Sequence, residues 1–227
     1  MKFISPIKRH SGFRVMVSQQ FGANPEKYSQ FKDDYGNPLK GHNGVDFTLG
    51  YDARKMYGSN INTICNGRVS ILIWDNPMST KGNGVYVDSD IETGSDGKQR
   101  FYRVVYWHAM DIDVRVGQSV KMGDYICDMG NSGWVFPQPT ITNPYGGTHL
   151  HLGFYPYIYD NNVWKKEFPN NGFDGAVDPL PFIGNINPDN WETKEDIESI
   201  WEKLFPVKWA IEKIKESLGL SKVANPL

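Results

Sequence analysis

The chain has 227 residues, which is long enough for one sizeable domain with an extension or for two small domains. Hydrophobic residues make up 39% of it and charged residues 22%, a balance typical of a globular protein. The net charge of -2 comes from 24 basic and 26 acidic residues. The sequence therefore has neither the basic excess of a nucleic-acid-binding protein nor a polybasic membrane anchor.

The first ten residues, MKFISPIKRH, lack the apolar run of roughly 7–15 residues that a secretory signal requires. No stretch of the chain approaches the roughly 20 apolar residues of a membrane-spanning helix. We therefore expect neither a signal peptide nor a transmembrane segment. If the protein works outside the cell that makes it, we expect another route of delivery.

Residues 18–183 have the pattern of a β domain, which follows an N-terminal segment at 1–17. The domain is rich in Gly, Asn and aromatic residues and is interrupted by turn dipeptides such as Asn66-Gly67 and Asp96-Gly97. Short β-type runs lie between the turns, at 61–65, 67–73, 85–88, 99–107, 125–129 and 149–155. Many short strands separated by turns predict a mainly β fold, either a sheet or a barrel.

The last segment, 184–227, has a helical pattern instead. Thr193 and Asp196 are spaced as an approximate capping box, and Pro206 suits the first turn of a second helix. An apolar stripe at helical spacing follows, formed by Val207, Ala210, Ile211, Ile214 and Leu218. We expect the stripe to pack on the β domain; docking to another protein and lying on a membrane surface are the alternatives.

The two cysteines, Cys65 and Cys127, both lie among apolar residues. No C-x-x-C pair is present, which argues against a cysteine zinc site. We predict two buried free thiols, with a disulfide between them as the alternative.

The segment 41–47 reads GHNGVDF and places His42 and Asp46 four residues apart. In an extended chain, residues separated by an even number point the same way, so the imidazole and the carboxylate would share one face. Two glycines and an asparagine disfavour a helix here. By itself, this H-x-x-x-D pattern is weak evidence for a metal site.

A second motif lies at 148–154, which reads THLHLGF. On a strand, His149 and His151 would point to one face, about 7 Å apart, while Leu150 and Leu152 would point to the core. One ring can then bind a metal while the other stands beside it. The alternative is the polar edge of an exposed strand.

The other two histidines carry little information alone. His108 ends the aromatic run VYWH and has the pattern of a histidine at the end of a strand. His10 stands beside Lys8 and Arg9, before any patterned segment, so we expect it to be a solvated surface residue.

Together, the patterned histidines fit metal-assisted hydrolysis. A catalytic zinc takes three protein ligands and leaves a position for water. His42, Asp46 and one member of the strand pair would supply two nitrogens and one oxygen. A free histidine nearby can accept a proton, and a second can stabilise an oxyanion. The helical H-E-x-x-H motif is absent, so the glutamate base of that mechanism has no counterpart.

These motifs make the sequence resemble the lysostaphin-like (LytM-type) zinc endopeptidases of peptidoglycan. The family signature is H-x-x-x-D, a histidine after an aromatic strand, and H-x-H. It occurs in this order at His42/Asp46, His108 and His149/His151. Lesser similarities are Phe21-Gly22 as the entry strand, NGRV at 66–69, VGQSVKMGD at 116–124, NSG at 131–133 and VDP at 177–179. The resemblance covers about residues 18–179.

The resemblance implies a small antiparallel β-sheet or open-barrel peptidase domain of lysostaphin type, with a groove across the sheet and a C-terminal helical extension. It implies one Zn²⁺ per chain, bound by His42, Asp46 and His151. It also implies that His108 and His149 are the catalytic pair, with His149 favoured as the proton acceptor. The implied substrate is a stem or cross-bridge peptide of bacterial peptidoglycan.

Two stretches depart from the family pattern, an insertion at 134–147 and an expanded loop at 88–100. The first should border the site and reshape substrate choice. Since no signal peptide is seen, we hypothesise a phage-derived wall hydrolase, mounted on a virion or released at host lysis, whose C-terminal helices dock to virion proteins. The alternative is a catalytically silent relative that acts as a structural or binding protein, its groove plugged by 134–147.

Overall fold

The computed structural model describes residues 3–7, 14–50, 52–74, 79–184 and 186. Its strands are β1 Met16–Gln19, β2 Val45–Thr48, β3 Asn60–Asn62, β4 Gly67–Ile73, β5 Gly84–Ser89, β6 Glu92–Thr93, β7 Gln99–Trp107, β8 Ser119–Val120, β9 Tyr125–Asp128, β10 Leu150–Asp160 and β11 Val163–Lys166. Three short helices accompany them, α1 Pro25–Tyr28, α2 Ala53–Met56 and α3 Leu180–Ile183. No helix in this described part is long and apolar enough to cross a membrane.

Nine of the strands form one antiparallel sheet. Its order is β1-β2-β10-β7-β5-β4-β8, with β11 also paired to β10 and β6 to β7. The remaining two, β3 and β9, pair with each other. The sheet stays open between β1 and β8, which confirms the predicted mainly β, antiparallel fold.

Several predicted strands match the structure closely, and one is wrong. The runs 67–73 and 99–107 coincide with β4 and β7, while β10 is longer than the predicted 149–155. The expected entry strand at Phe21-Gly22 is instead a turn that follows β1. Gly22 has φ of +75°, a left-handed conformation that ends an extended chain and that glycine adopts at low cost.

The expanded loop at 88–100 is only partly a loop. β6 lies inside it and pairs with the start of β7 through Glu92–Arg100 and Thr93–Gln99. Residues 88–89 end β5, residues 99–100 begin β7, and residues 94–98 form the turn between β6 and β7. The two predicted C-terminal helices and His10 lie outside the described residues, and the predicted domain boundaries stay a prediction.

The two faces of the central strands have different roles. Leu150, Leu152 and Phe154 of β10 belong to the main hydrophobic core, together with alternate residues of β7. His151 lies between them in the strand and therefore points to the opposite face, where it pairs with Trp107 of β7. The predicted division of this strand into a leucine face and a histidine face is confirmed.

Cys65 and Cys127 are both buried and both free. Each lies within the main core, at 0% and 1% exposure. The prediction of two buried free thiols is confirmed.

Candidate metal centre and active site

The side chains of His42, Asp46 and His151 converge at the middle of the open sheet face. Asp46 lies in β2 directly opposite His151 of β10, so strand pairing sets their separation. Asp46 Oδ1 is 3.1 Å from His42 Nε2 and 3.1 Å from His151 Nδ1. The two nitrogens are 2.9 Å apart. Three donor atoms therefore meet at one point.

His42 precedes β2, and the turn at 20–23 holds it in place. Its backbone N–H donates to Ala23 O, and its carbonyl accepts from Gly22 N–H. The ring Nδ1 lies 3.2 Å from Gln20 O, so Nδ1 carries the proton and donates to this carbonyl. The lone pair is then on Nε2, which faces Asp46.

The donor set fits a zinc ion. Zinc in protein sites has bonds of about 2.0–2.2 Å to histidine nitrogen and carboxylate oxygen, which puts neighbouring ligand atoms about 3.3 Å apart in a tetrahedron. The three observed separations are only slightly shorter. Among the described residues, this is the group of histidine, cysteine or acidic side chains that has metal-binding geometry. Two nitrogens and one oxygen leave a fourth position for water or substrate.

The charge of the site is concentrated on Asp46. Burial alone would raise the pKa of this carboxyl group. The nearby imidazoles of His149, His151 and His42, when they carry protons, outweigh burial and hold the pKa of Asp46 well below its ordinary value. Asp46 is therefore a carboxylate at neutral pH, as a metal ligand must be.

The ring of His151 is held by stacking on an aromatic side chain. The ring stacks on the indole of Trp107, with centroids 4.6 Å apart and planes 7° from parallel. Burial lowers the pKa of His151 to about 4, against the opposing effect of Asp46. The ring is therefore neutral at pH 7 and can offer a lone pair.

Two further histidines stand beside this cluster. His149 Nε2 is 3.6 Å from Asp46 Oδ1, while its Nδ1 is 2.7 Å from Gly147 O. His108 Nδ1 is 2.7 Å from Ser132 O, and its ring centroid lies 4.6 Å from that of His149. In both rings a backbone carbonyl holds the Nδ1 proton, so both leave Nε2 for other partners.

The backbone at His108 is unusual for a residue other than glycine. Its φ of +65° lies in the left-handed region, directly after β7 ends at Trp107.

Burial and the neighbouring imidazoles of His149 and His151 hold the pKa of His108 well below its ordinary value. The sequence prediction that His108 ends a strand is confirmed.

Tyr28 is a residue of the site that the sequence motifs do not reveal. It ends α1, and its ring lies 5.1 Å from that of His42. Gln19 Nε2 donates to its hydroxyl oxygen at 2.6 Å, which leaves the hydroxyl proton free to donate. Burial and the charge of Asp46 raise the pKa of this phenol above its ordinary value.

The site opens into a groove with a cavity on each side. One cavity, of about 410 Å³, extends past Trp107 towards Asp174, and the other, of about 540 Å³, extends past His149 towards Pro137. Both are lined by the same central residues, Tyr28, Gln30, His108, Trp134 and His151. A chain molecule lying in the groove would therefore pass directly over the histidine cluster.

The five predicted site residues thus lie in one place, and their assigned roles stay predictions. A histidine–carboxylate cluster beside two further imidazoles, in a groove of a mainly β domain, has the donor set and the proton-transfer groups that metal-assisted hydrolysis requires. The sequence model of peptidase family M23 matches residues 40–163, which is more than half of the chain. The chain belongs to peptidase family M23.

Solved structures of several peptidases are similar to this chain. A zinc-containing peptidase from Vibrio cholerae is 22% identical, with 73% of this chain and 39% of that chain covered and a TM-score of 0.44. The catalytic domain of lysostaphin from Staphylococcus simulans is 22% identical over 77% of this chain and 95% of that chain, with a TM-score of 0.43. LytU is 25% identical, with 77% of this chain and 89% of the LytU chain covered and a TM-score of 0.45.

The chain thus spans well under half of the Vibrio cholerae protein and nearly all of the lysostaphin catalytic domain. No curated protein matches it.

Proposed function

We propose that the protein is a zinc-dependent endopeptidase that hydrolyses peptide bonds in bacterial peptidoglycan. The observation that carries this proposal is the convergence of His42 Nε2, Asp46 Oδ1 and His151 Nδ1, with mutual distances of 2.9–3.1 Å, beside two free imidazoles. Membership of peptidase family M23 supports the reaction class. The groove across the sheet face supports a substrate of extended shape.

In this proposal, His42, Asp46 and His151 hold one Zn²⁺ per chain. When bound, zinc supplies Lewis acidity at the scissile carbonyl. The other groups of the site act on protons and on the developing charge.

His149 is the proposed proton acceptor. Its Nδ1 donates to Gly147 O, so the lone pair on Nε2 is aimed at the cluster. Such a base takes the proton of the attacking water and returns it to the leaving amine, which contributes about 10²–10⁴ in rate. The backbone carbonyl fixes both the tautomer and the ring orientation.

His108 has the same tautomer as His149, because Ser132 O holds its Nδ1 proton. A neutral His108 therefore presents a lone pair rather than an N–H to the groove. It can stabilise an oxyanion only after it has received a proton. We propose that it shares proton transfer with His149.

The oxyanion then needs another donor, and Tyr28 is the proposed one. Its hydroxyl oxygen already accepts a hydrogen bond from Gln19, so its own proton is available. The phenol lines both cavities at the point where they meet. A fixed donor at this position stabilises charge that develops in the transition state.

The experiment that tests the proposed function is digestion of isolated peptidoglycan by the zinc-loaded protein, followed by mass spectrometry of the soluble fragments. We expect new amino termini, and we expect a chelator to suppress their release. If the protein binds zinc but leaves peptidoglycan of several chemotypes undigested, the proposal is contradicted. Action at the cell wall, and delivery by a virion or at host lysis with partners bound through 184–227, stay proposals.

A further inference from the structure

Two aromatic side chains meet at the cavity that His108 and His151 also line. The rings of Phe31 and Trp134 are 5.3 Å apart, with planes at 68°, in an edge-to-face contact. Trp134 is the first residue of the 134–147 insertion, and Phe31 follows α1. We call this pair the aromatic bridge.

The two residues of the aromatic bridge are anchored on opposite sides of the site. Phe31 belongs to the connection between β1 and β2, and its carbonyl accepts a hydrogen bond from Leu39 N–H. Trp134 N–H donates to Thr80 O, in the segment that leads into β5. Between these anchors lie β2, β10 and β7, the strands that carry or precede the site residues. The contact therefore crosses the groove.

A second contact runs parallel to the first. Lys27 Nζ lies 5.5 Å from the ring centroid of Phe136, so the α1 region and the insertion also meet through a cation–π interaction. Trp134 lines both cavities of the groove together with His108 and His151, and Phe31 lines one of them. The aromatic bridge therefore spans the passage that holds the histidine cluster.

We propose that the aromatic bridge is a specificity determinant that selects unbranched peptide strands with a free end. This inference rests on the proposed function, since it concerns the substrate of the same site. A peptide with one free end can thread beneath Phe31 and Trp134. A peptide joined to bulky chains at both ends, as in cross-linked peptidoglycan, can enter only if the bridge opens.

The selectivity should be moderate. An aromatic contact of this kind favours the closed bridge over the open bridge by a factor of roughly 2–12 in the equilibrium constant. Opening the bridge is therefore possible but unfavourable. We expect the protein to prefer an open-ended strand over an end-blocked strand by about tenfold.

The test uses two synthetic substrates with the same peptide sequence, that of a peptidoglycan stem peptide joined to its cross-bridge. One carries a polyethylene glycol chain at one end only, and the other carries such chains at both ends. The ratio of kcat/KM for the two substrates is compared among wild type, Trp134→Ala and Phe31→Ala. Trp134→Phe keeps an aromatic ring, and Ile141→Ala is a matched control in the same insertion, fully exposed and outside both cavities.

We expect a ratio of about ten in wild type, Trp134→Phe and Ile141→Ala, and a ratio near one in Trp134→Ala and Phe31→Ala. A wild-type ratio near one, or a ratio that neither alanine variant changes, would overturn the inference.

Affinity gives a second readout that does not depend on turnover. The dissociation constants of the two substrates are measured on the zinc-loaded His149→Ala protein, with and without Trp134→Ala. Equal affinities in both backgrounds would also overturn the role of the aromatic bridge. If the wild-type protein cleaves neither substrate, the proposed function fails. The ratio of the two dissociation constants then still shows whether the aromatic bridge discriminates against the peptide blocked at both ends.

Discussion

Gly44 lies directly against the imidazole of His151. A Cβ atom built on Gly44 would be 2.6 Å from both Cε1 and Nε2 of that ring, and 2.7 Å from the carbonyl oxygen of Leu152. Any side chain at this position would push either the ring or β10 away. The glycine between His42 and Asp46 is therefore needed for close packing around the His42–Asp46–His151 cluster.

Gly44→Ala is predicted to weaken zinc binding without unfolding the protein. The added methyl group must tilt His151 or separate β2 from β10, and disturbances next to a ligand typically cost 10–100-fold in metal affinity. Competition with a fluorescent chelator would measure the change. Gly97→Ala is the control for zinc affinity: its φ of +76° makes alanine strained there, but its Cβ would meet nothing within 4 Å, and the residue lies in the turn between β6 and β7 rather than in the histidine cluster. Equal zinc affinity in Gly44→Ala and wild type would contradict the packing account.

Substitutions in the cluster should separate metal binding from turnover. Asp46→Asn and His151→Ala are expected to lose zinc, because each removes one of three ligands. His149→Ala is expected to keep close to one zinc per chain while kcat falls by about 10²–10⁴. Elemental analysis of the purified variants and peptide kinetics would check both halves. Loss of zinc from His149→Ala but not from His151→Ala would reverse the assignment.

Tyr28→Phe should lower kcat with little change in KM or in zinc content. The substitution removes only the hydroxyl, and loss of one oxyanion donor typically costs about 10²–10³ in kcat. Tyr35→Phe provides the matched control, since Tyr35 is 63% exposed and lines neither groove cavity. A kcat for Tyr28→Phe within about threefold of wild type would exclude the phenol from this role.

The two thiols should be unreactive in the native protein. Burial raises the pKa of Cys65 to about 12, and it raises the pKa of Cys127 as well. A raised pKa disfavours the reactive thiolate at pH 8. A thiol reagent at pH 8 should label neither cysteine in the folded protein and both in denaturant. Rapid labelling without denaturant, or no labelling in denaturant, would disagree with this picture.

Much of the site could be predicted because local spacing fixes it. His149 directly precedes β10 and His151 lies two residues further on, so the period of an extended chain places both on the face opposite Leu150 and Leu152. β7 was predictable in the same way, because an uninterrupted β-type run ends at Trp107. The H-x-x-x-D spacing likewise predicted that Asp46 shares a site with His42.

What the sequence could not supply depends on contacts between distant segments. Tyr28 belongs to a four-residue helix whose position over His42 is set by tertiary packing, and no local period marks it. The contact of Phe31 with Trp134 joins residues more than 100 positions apart. The entry strand was misplaced because the motif at Phe21-Gly22 marks the turn after β1, where a positive φ ends the extended chain.

One metal ion per chain is expected to switch on peptidase activity. The test is a titration of the fully demetallated protein with zinc, in which hydrolysis of a synthetic peptide with the sequence of a peptidoglycan stem and cross-bridge is followed at each addition. We predict that the rate rises linearly, breaks at one equivalent of zinc per chain, and is absent at zero zinc. Full activity in the demetallated protein, or no activity once one equivalent is bound, would contradict the account.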